Sequence, residues 1–296
     1  MYSRILYELT MLAYNIWFQL KQIAPYWALG LIAGSLVSVF LSEKITGKMA
    51  VLSTGRLWFF PVCIASFLGI VSPLCMYGTV PVMAALGKKQ VPQHLLAAFM
   101  ISSVLLNPNL FIMSFNLGIG LALARLVFSF LCGLLAGVLA FLLLKGKKLF
   151  TFEKFDSSSE YKKKKTFFKD LFKAFRITAP YLLFGVTLAA VFDRYIEPEW
   201  IASIFGQRRG LGVLFATTLS VPLYACGGGT IPLIRAWLEA GMGQGDALAF
   251  MLAGPATKIT NLSAVKMIFS TKNFLLYLTY CLLFAILAGL FVEFCL

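Results

Sequence analysis

The chain is poor in charge, in acids and in histidine. Only 13% of its 296 residues are charged, and a single histidine, His94, is present. An ordinary soluble domain is about 25% charged. With 60% hydrophobic residues and a mean hydropathy of +0.85, a water-soluble globule would have too little polar surface to cover itself. That excludes most cytosolic enzymes, nucleic-acid modules and disordered chains. No His-rich metal motif, phosphate-binding loop or pair of intramembrane carboxylates appears. Neither a resident metal, a cofactor nor an enzymatic activity is therefore expected. His94 stands at the mouth of an apolar run, where an interfacial polar residue is the plainer reading. Asp193, Glu197 and Glu199 fall between two apolar runs and read as a solvated loop. The six cysteines, at 63, 75, 132, 226, 281 and 295, form no Cys-x-x-Cys pair and no secreted disulfide framework. No cleavable signal sequence is expected either, since the first twenty residues carry Glu8, Asn15 and Gln19 and lack a small-residue cleavage site.

Long apolar runs are what the chain has. They cover Ala24–Leu41, Leu57–Pro73, His94–Phe115, Leu117–Leu144, Ile177–Phe192, Leu211–Ala225, Ala247–Phe269 and Phe274–Leu296. A helical span needs about 20 apolar residues. Two shorter stretches, Gly78–Leu86 and Gly227–Leu238, hold Gly and Pro, which interrupt regular helix. None of the runs alternates in hydropathy as a membrane barrel would. The expected fold is an all-α polytopic membrane protein with about 8 full transmembrane helices plus 2 broken or re-entrant segments.

The net charge of +14 is concentrated. Eleven of the 26 Lys and Arg lie between Lys145 and Arg176, half the net charge in one loop. A basic segment beside a membrane helix is a cytoplasmic orientation signal, with anionic-lipid contact a further possibility. No nucleic-acid partner is expected. Leu12, Ala13, Ile16, Trp17 and Leu20 form a helix-period stripe, repeated by Phe167, Phe168, Leu171, Phe172 and Phe175. Both stretches read as amphipathic helices at the interface. The expected organisation is an interfacial helix over 1–22, a first transmembrane repeat over 23–144, a basic cytoplasmic linker with its own amphipathic helix over 145–176, and a second repeat over 177–296.

The word repeat rests on matched motifs. Cys75-Met-Tyr-Gly78-Thr79-Val80-Pro81 recurs as Cys226-Gly-Gly-Gly229-Thr230-Ile231-Pro232, displaced by 151 residues. Ala98-Phe99-Met100 recurs as Ala249-Phe250-Met251 at the same displacement, and Ala24-Pro25-Tyr26 as Ala179-Pro180-Tyr181. Charge decides between two orientations of the halves. If the broken segments dip in and return, each half has four spans and the halves are parallel. If they cross, each half has five spans and the halves are inverted. The crossing arrangement leaves Lys44, Lys48, Arg56, Lys88, Lys89, Lys266 and Lys272 inside with the basic loop, so the positive-inside rule favours inversion. Inverted repeats with a broken helix in each are a recurring transporter architecture, with the site where the breaks meet.

The breaks are the candidate site. Gly78, Thr79 and Pro81, with Gly229, Thr230 and Pro232, open the backbone inside the membrane: Gly tolerates unusual dihedrals and Pro frees a carbonyl. Such backbone is tolerated only where protein or a wet cavity surrounds it. Two kinked helices at a close crossing would use the same small residues. Cys75 and Cys226 hold equivalent positions and suit either a soft acceptor such as trivalent arsenic or Cu(I), or a small buried apolar role. Further breaks occur at Asn107-Pro108 and at Gly254-Pro255, with Lys258 aligned to Asn107 and Asn261 just beyond. Lys258, Arg125 and Arg235 are ionisable residues within apolar stretches, hence functional candidates. Arg125 has the alternatives of reaching a headgroup or pairing locally, and Arg235 has Glu239 at helical spacing.

Ser72-Pro-Leu-Cys75 with Gly78-Thr-Val-Pro81 and Asn107-Pro108, then Cys226 to Pro232 with Gly254-Pro255-Ala-Thr257, resembles the predicted permease family of the ArsP/YraQ type. The similarity covers most of the chain and both halves. Family members often carry Cys-x-Cys-Gly in the first half, and Tyr77 takes the place of the second Cys here. The resemblance implies an inner-membrane permease that exports a small solute, such as a trivalent organoarsenical or a soft metal species, by alternating access. A passive channel or carrier for an unrelated small solute would use the same breaks. The implied partners are a small-molecule or metalloid substrate and the lipid bilayer.

Overall fold

A computed structural model describes residues 2–40, 58–144, 149–152, 167–195, 211–224 and 230–295. Among these residues the chain is helical throughout, with one isolated antiparallel bridge between Phe150 and Phe269. The first half contributes α1 (Tyr2–Phe40), α2 (Phe59–Val71), α3 (Met76–Lys88), α4 (Gln93–Leu105), α5 (Pro108–Ser114) and α6 (Ile119–Leu144). A 3₁₀ turn at Phe115–Leu117 joins α5 to α6. The second half contributes α7 (Phe167–Tyr195), α8 (Leu211–Leu223), α9 (Thr230–Glu239), α10 (Gln244–Thr257), α11 (Ile259–Val265) and α12 (Thr271–Cys295). The two series correspond helix for helix. Both amphipathic stretches continue unbroken into the adjoining apolar helices, through Pro25 in α1 and Pro180 in α7.

Only α6 and α12 are by themselves long and apolar enough to cross a bilayer, among the described residues. Helices α4 and α5 with the 3₁₀ turn make one bent candidate, with a 41° break at Leu106–Asn107. The run Ala247–Phe269, which reads as one span in sequence, is likewise divided at Lys258. Proline and its neighbours account for the first break. Leu106 and Asn107 are extended, the conformation favoured before proline, and Pro108 opens α5. The Asn107 side chain then accepts the Leu110 amide at 2.9 Å, capping the new helix.

Packing repeats along with the helix order. Helices α2, α4 and α6 pack on one another, as do α8, α10 and α12. At the crossing of α4 and α6, a Cβ on Gly137 would stand 2.5 Å from Val62 Cγ1 and 2.9 Å from Ala98 Cβ. At the crossing of α10 and α12, a Cβ on Gly289 would stand 2.9 Å from Val213 Cγ1 and 2.8 Å from Ala249 Cβ. Val, Ala and Gly thus meet in a similar arrangement in both halves, Val and Ala at the 151-residue displacement of the motifs and Gly one residue further on. In lipid, where apolar burial does not hold helices together, small residues that let backbones approach supply the contact energy.

The two halves touch along α6 and α12, among other places. Phe128 packs edge-on to Phe291 at 5.9 Å, and Tyr280 donates to the Cys132 carbonyl at 2.5 Å. Beyond the end of α6, Asn273 Nδ2 donates to the Leu149 carbonyl at 2.7 Å, and the Thr151 amide to the Ile268 carbonyl at 2.8 Å. Contacts advance along α6 as they retreat along α12, so these equivalent helices run antiparallel. Elsewhere α1 packs on α3 and α7, with Trp27 donating to Thr178 Oγ1 at 2.9 Å and stacking on Phe175.

One helix start carries a pH-dependent cost. Asp246, just before the apolar run of α10, accepts the Gly243 amide at 3.3 Å, while Glu293 of α12 accepts the Gly245 amide at 3.1 Å. Burial, and then the neighbouring Glu293 carboxylate, push Asp246 up from 3.8 to about 6. The folded protein therefore holds this proton at pH values where the unfolded chain releases it. Stability rises as pH falls through about 6 and the gain is complete below about 4. Asp246→Asn keeps an acceptor for Gly243 and removes the charge. It is expected to raise stability at pH 7 by about 1–2 kcal/mol, allowing for water at the helix end, and to flatten the melting-temperature profile between pH 7 and 5. An unchanged profile in the variant would overturn this assignment.

Candidate functional site

Helix α3 begins at the first motif. Cys75 is extended (φ −93°, ψ 173°) and half-buried, and its carbonyl accepts the Gly78 and Thr79 amides at 2.9 and 2.8 Å. The Thr79 hydroxyl returns to the same carbonyl at 3.0 Å and lies 3.2 Å from Ser103 Oγ of α4. Gly78, Thr79 and Pro81 are all buried. Pro81 has no amide hydrogen to give to the carbonyl one turn back. The motif therefore forms a helix start at which the Thr79 hydroxyl adds a third hydrogen bond to the Cys75 carbonyl.

The partner of this segment is the second break of the other half. Tyr77 donates to the Thr260 carbonyl at 2.7 Å and lies 2.6 Å from Ser263 Oγ. Thr260 and Ser263 belong to α11, which packs on α3 and α7. Between α10 and α11, Lys258 adopts an extended conformation (φ −49°, ψ 138°) that stops one helix before the next begins. Asn261 Nδ2 donates to the Pro255 carbonyl at 2.5 Å, stapling the two helices across the break. Gly254 and Pro255 are buried within α10. Tyr224 requires the glycine: a Cβ at Gly254 would stand 2.0 Å from its ring.

Cys226 and Gly229 lie outside the described residues. Thr230 is buried at the start of α9 and Pro232 is exposed one turn in. Helix α9 packs on the 3₁₀ turn Phe115–Leu117, which lies just after the Asn107-Pro108 break, and on α10. Each half thus offers its motif helix to the region after the other half's second break. Arg125 is fully buried rather than at a headgroup, its Nη1 donating to Ser114 Oγ at 2.8 Å and its Nη2 to the Tyr224 hydroxyl at 3.2 Å. Arg235 pairs with Glu239 at 3.1 Å on the surface, the local pairing its spacing implied. His94 is buried, edge-on to Phe141 at 5.1 Å. A cavity of about 120 Å³ lies away from the breaks, beneath Leu149 and Phe150, with an apolar lining.

Sequence reading passed over the hydroxyls of Tyr77 and Tyr224. Both are polar groups inside apolar stretches, and each links the two halves. A buried tyrosine hydroxyl finds a partner, so their presence there was a usable signal.

With the two similar series of helices, the breaks and their cross-linking hydroxyls described, the comparison with known proteins decides the family. The ArsP_1 model, described as a predicted permease, matches residues 9–294. The chain belongs to this predicted permease family. A protein of Streptococcus mutans, whose name describes a two-component membrane permease complex subunit, is 25% identical over 89% of this chain and 91% of its own length. A UPF0718 protein of Methanocaldococcus jannaschii is 28% identical over 42% of this chain, and the match spans only 34% of that protein. A UPF0718 protein of Bacillus subtilis is 37% identical over 26% of each chain. No solved structure matches. Membership makes this ArsP_1-family chain a membrane protein of the transporter kind.

Proposed function

We propose that this ArsP_1-family chain is an inner-membrane permease of two inverted repeats that exports a small solute by alternating access. The carrying observation is the 2.7 Å hydrogen bond from Tyr77 to Thr260, which joins a broken segment of one half to a broken segment of the other. Polar, irregular backbone at membrane depth is tolerated where it lines a cavity or is wrapped in protein. Meeting between halves, it offers a path that opens to either side when one half rocks against the other. Inversion is supported by the antiparallel course of α6 and α12. In this reading, about eight helices span, two broken segments complete the crossing, and the 145–176 loop is cytoplasmic.

The solute would contact Cys75, Gly78, Thr79 and Pro81 on one side and Gly254, Pro255, Lys258 and Asn261 on the other. Asn107, Pro108, Thr230 and Pro232 would serve the related region between α5 and α9, with Cys226 and Gly229 completing that motif. The family resemblance and the half-buried Cys75 favour a trivalent organoarsenical or a soft metal species as cargo, because thiolate is a soft ligand.

The test is accumulation of methylarsenite, arsenite, copper and zinc in cells lacking their own arsenic exporters. Expression of the chain should lower one of them severalfold, and the Cys75→Ser/Cys226→Ser form should lose that effect at equal membrane abundance. Full activity in the double variant would remove sulfur from the path. No effect on any of the four would overturn the soft-acceptor cargo.

A further inference from the structure

We infer that the break between α10 and α11 binds an anionic group, so that the cargo of the proposed permease carries a carboxylate or oxyanion; this deepens that reading and rests on it. Lys258 is 4% exposed, and its Nζ has no hydrogen-bond partner among the described residues. Two residues on, Thr260 is 1% exposed and its hydroxyl is likewise without a partner. Buried donors are normally satisfied, and a buried charge is tolerated when it is paired. Two such donors flanking one break can both donate to the oxygens of an anion.

A second buried cation is linked to the break through Tyr224. Arg125 is 0% exposed, and Ser114 and Tyr224, which receive its two Nη atoms, are neutral. Its Nε is buried without a partner. A guanidinium keeps its charge in proteins. Tyr224 ties it to the break, because its ring packs on Gly254, whose carbonyl accepts the Lys258 amide at 2.8 Å. The acids described nearby are engaged elsewhere. Glu239 is paired with Arg235 on the surface, and Asp246 lies twelve residues before Lys258 along α10, about 18 Å at helical rise. Glu293 stands beside Asp246 at that distant end. The two buried cations thus lack a fixed counter-charge among the described residues, and Lys and Arg with a hydroxyl form a fitting set of donors for an anion's oxygens.

The experiment uses the full chain, purified in nanodiscs of zwitterionic lipid. Its thermal unfolding is followed with acetate, sulfate or inorganic phosphate added at fixed ionic strength against sodium chloride. A ligand that binds the folded state raises the melting temperature in proportion to its occupancy. We expect saturable protection by at least one of the three. Acetate alone would indicate a carboxylate site, and sulfate or phosphate a tetrahedral oxyanion site. Lys258→Gln should raise the half-saturating concentration about tenfold or more, Thr260→Val by less, and Lys266→Gln, on the exposed end of α11, not at all. Lys258→Met separates a binding from a structural role: without anion it should melt no lower than wild type, because it removes an unpaired buried charge. Protection of wild type by none of the anions, or equal protection of Lys258→Gln, would overturn the site. Flux of the protecting anion into proteoliposomes is measured separately. Binding without flux keeps the anion site and overturns the permease reading. Soft-metal export without anion binding does the reverse.

Discussion

Gly289→Leu and Gly137→Leu are each expected to leave little assembled protein in the membrane. Even a Cβ at Gly289 would approach Ala249 Cβ and the Gly245 carbonyl to 2.8 Å. One at Gly137 would lie 2.5 Å from Val62 Cγ1 and 3.1 Å from the His94 carbonyl. Side chains could turn aside for alanine, but backbone carbonyls of the facing helix cannot. Leucine would force the helices apart along their whole crossing, at a cost of about 3 kcal/mol or more. Separation is also poorly compensated in lipid, since the exposed surface gains no hydrophobic penalty that would drive it closed again. The control lies on the same helix as Gly137. A Cβ at Gly120 would meet nothing within 4 Å, so Gly120→Leu should behave as wild type. The measurement is the melting temperature of detergent-solubilised protein, followed by the recovery of its monodisperse peak. Equal melting of all three variants and wild type would mean that the close crossings do not hold the bundle.

Those crossings explain how much of the fold was legible. The matched motifs are visible in sequence because their residues have equivalent neighbours: Ala98 with Val62 lines the place where Gly137 crosses, and Ala249 with Val213 the place where Gly289 crosses. Local signals were legible for the same reason. Asn107-Pro108 stops and restarts a helix by rules that act within four residues, and Arg235 finds Glu239 one turn away. The pairing of the breaks was not legible. Equivalence of the two Cys-x-x-Gly-Thr-x-Pro motifs put the candidate site between them, and Cys226 to Gly229 of the second lie outside the described residues. In the structure, the first meets the α10–α11 break, and Thr230 opens a helix that packs near the end of the first half's break. Contacts of this kind join segments far apart in sequence, and no pattern within either half records them. Arg125 was ambiguous for a similar reason. Its partners are eleven residues back and in the other half, at Ser114 and Tyr224, and the second of these arises from packing alone. The breaks at Asn107-Pro108 and Gly254-Pro255 were legible, whereas the 41° bend at the first and the exact stop at Lys258 in the second come from the structure.

Single cysteines at 151, 240 and 272, in a background without the native six, should label from opposite sides of the membrane. Thr151→Cys and Lys272→Cys are expected to react with an impermeant maleimide only from the cytoplasmic side, and Ala240→Cys only from outside. The first two are linked by the structure itself. The Thr151 amide bonds the Ile268 carbonyl at 2.8 Å, and Asn273 bonds the Leu149 carbonyl at 2.7 Å. Hydrogen bonds of that length cannot reach across a hydrocarbon core of about 30 Å, so the end of α6 and the start of α12 share one face. In the proposed reading, the basic segment after residue 144 puts that face in the cytoplasm. Ala240, exposed just after α9, then falls on the other face if the motif segment crosses the membrane. Parallel halves make the contrary forecast, with 272 reached from outside and 240 from inside. In that arrangement α6 and α12 would descend the membrane in the same direction. The pairs Phe128–Phe291 and Leu149–Asn273 could not then both form, because parallel neighbours would bring the start of α6 to the start of α12. Labelling of 272 from outside would therefore sink the inverted arrangement together with the helix pairing on which it rests.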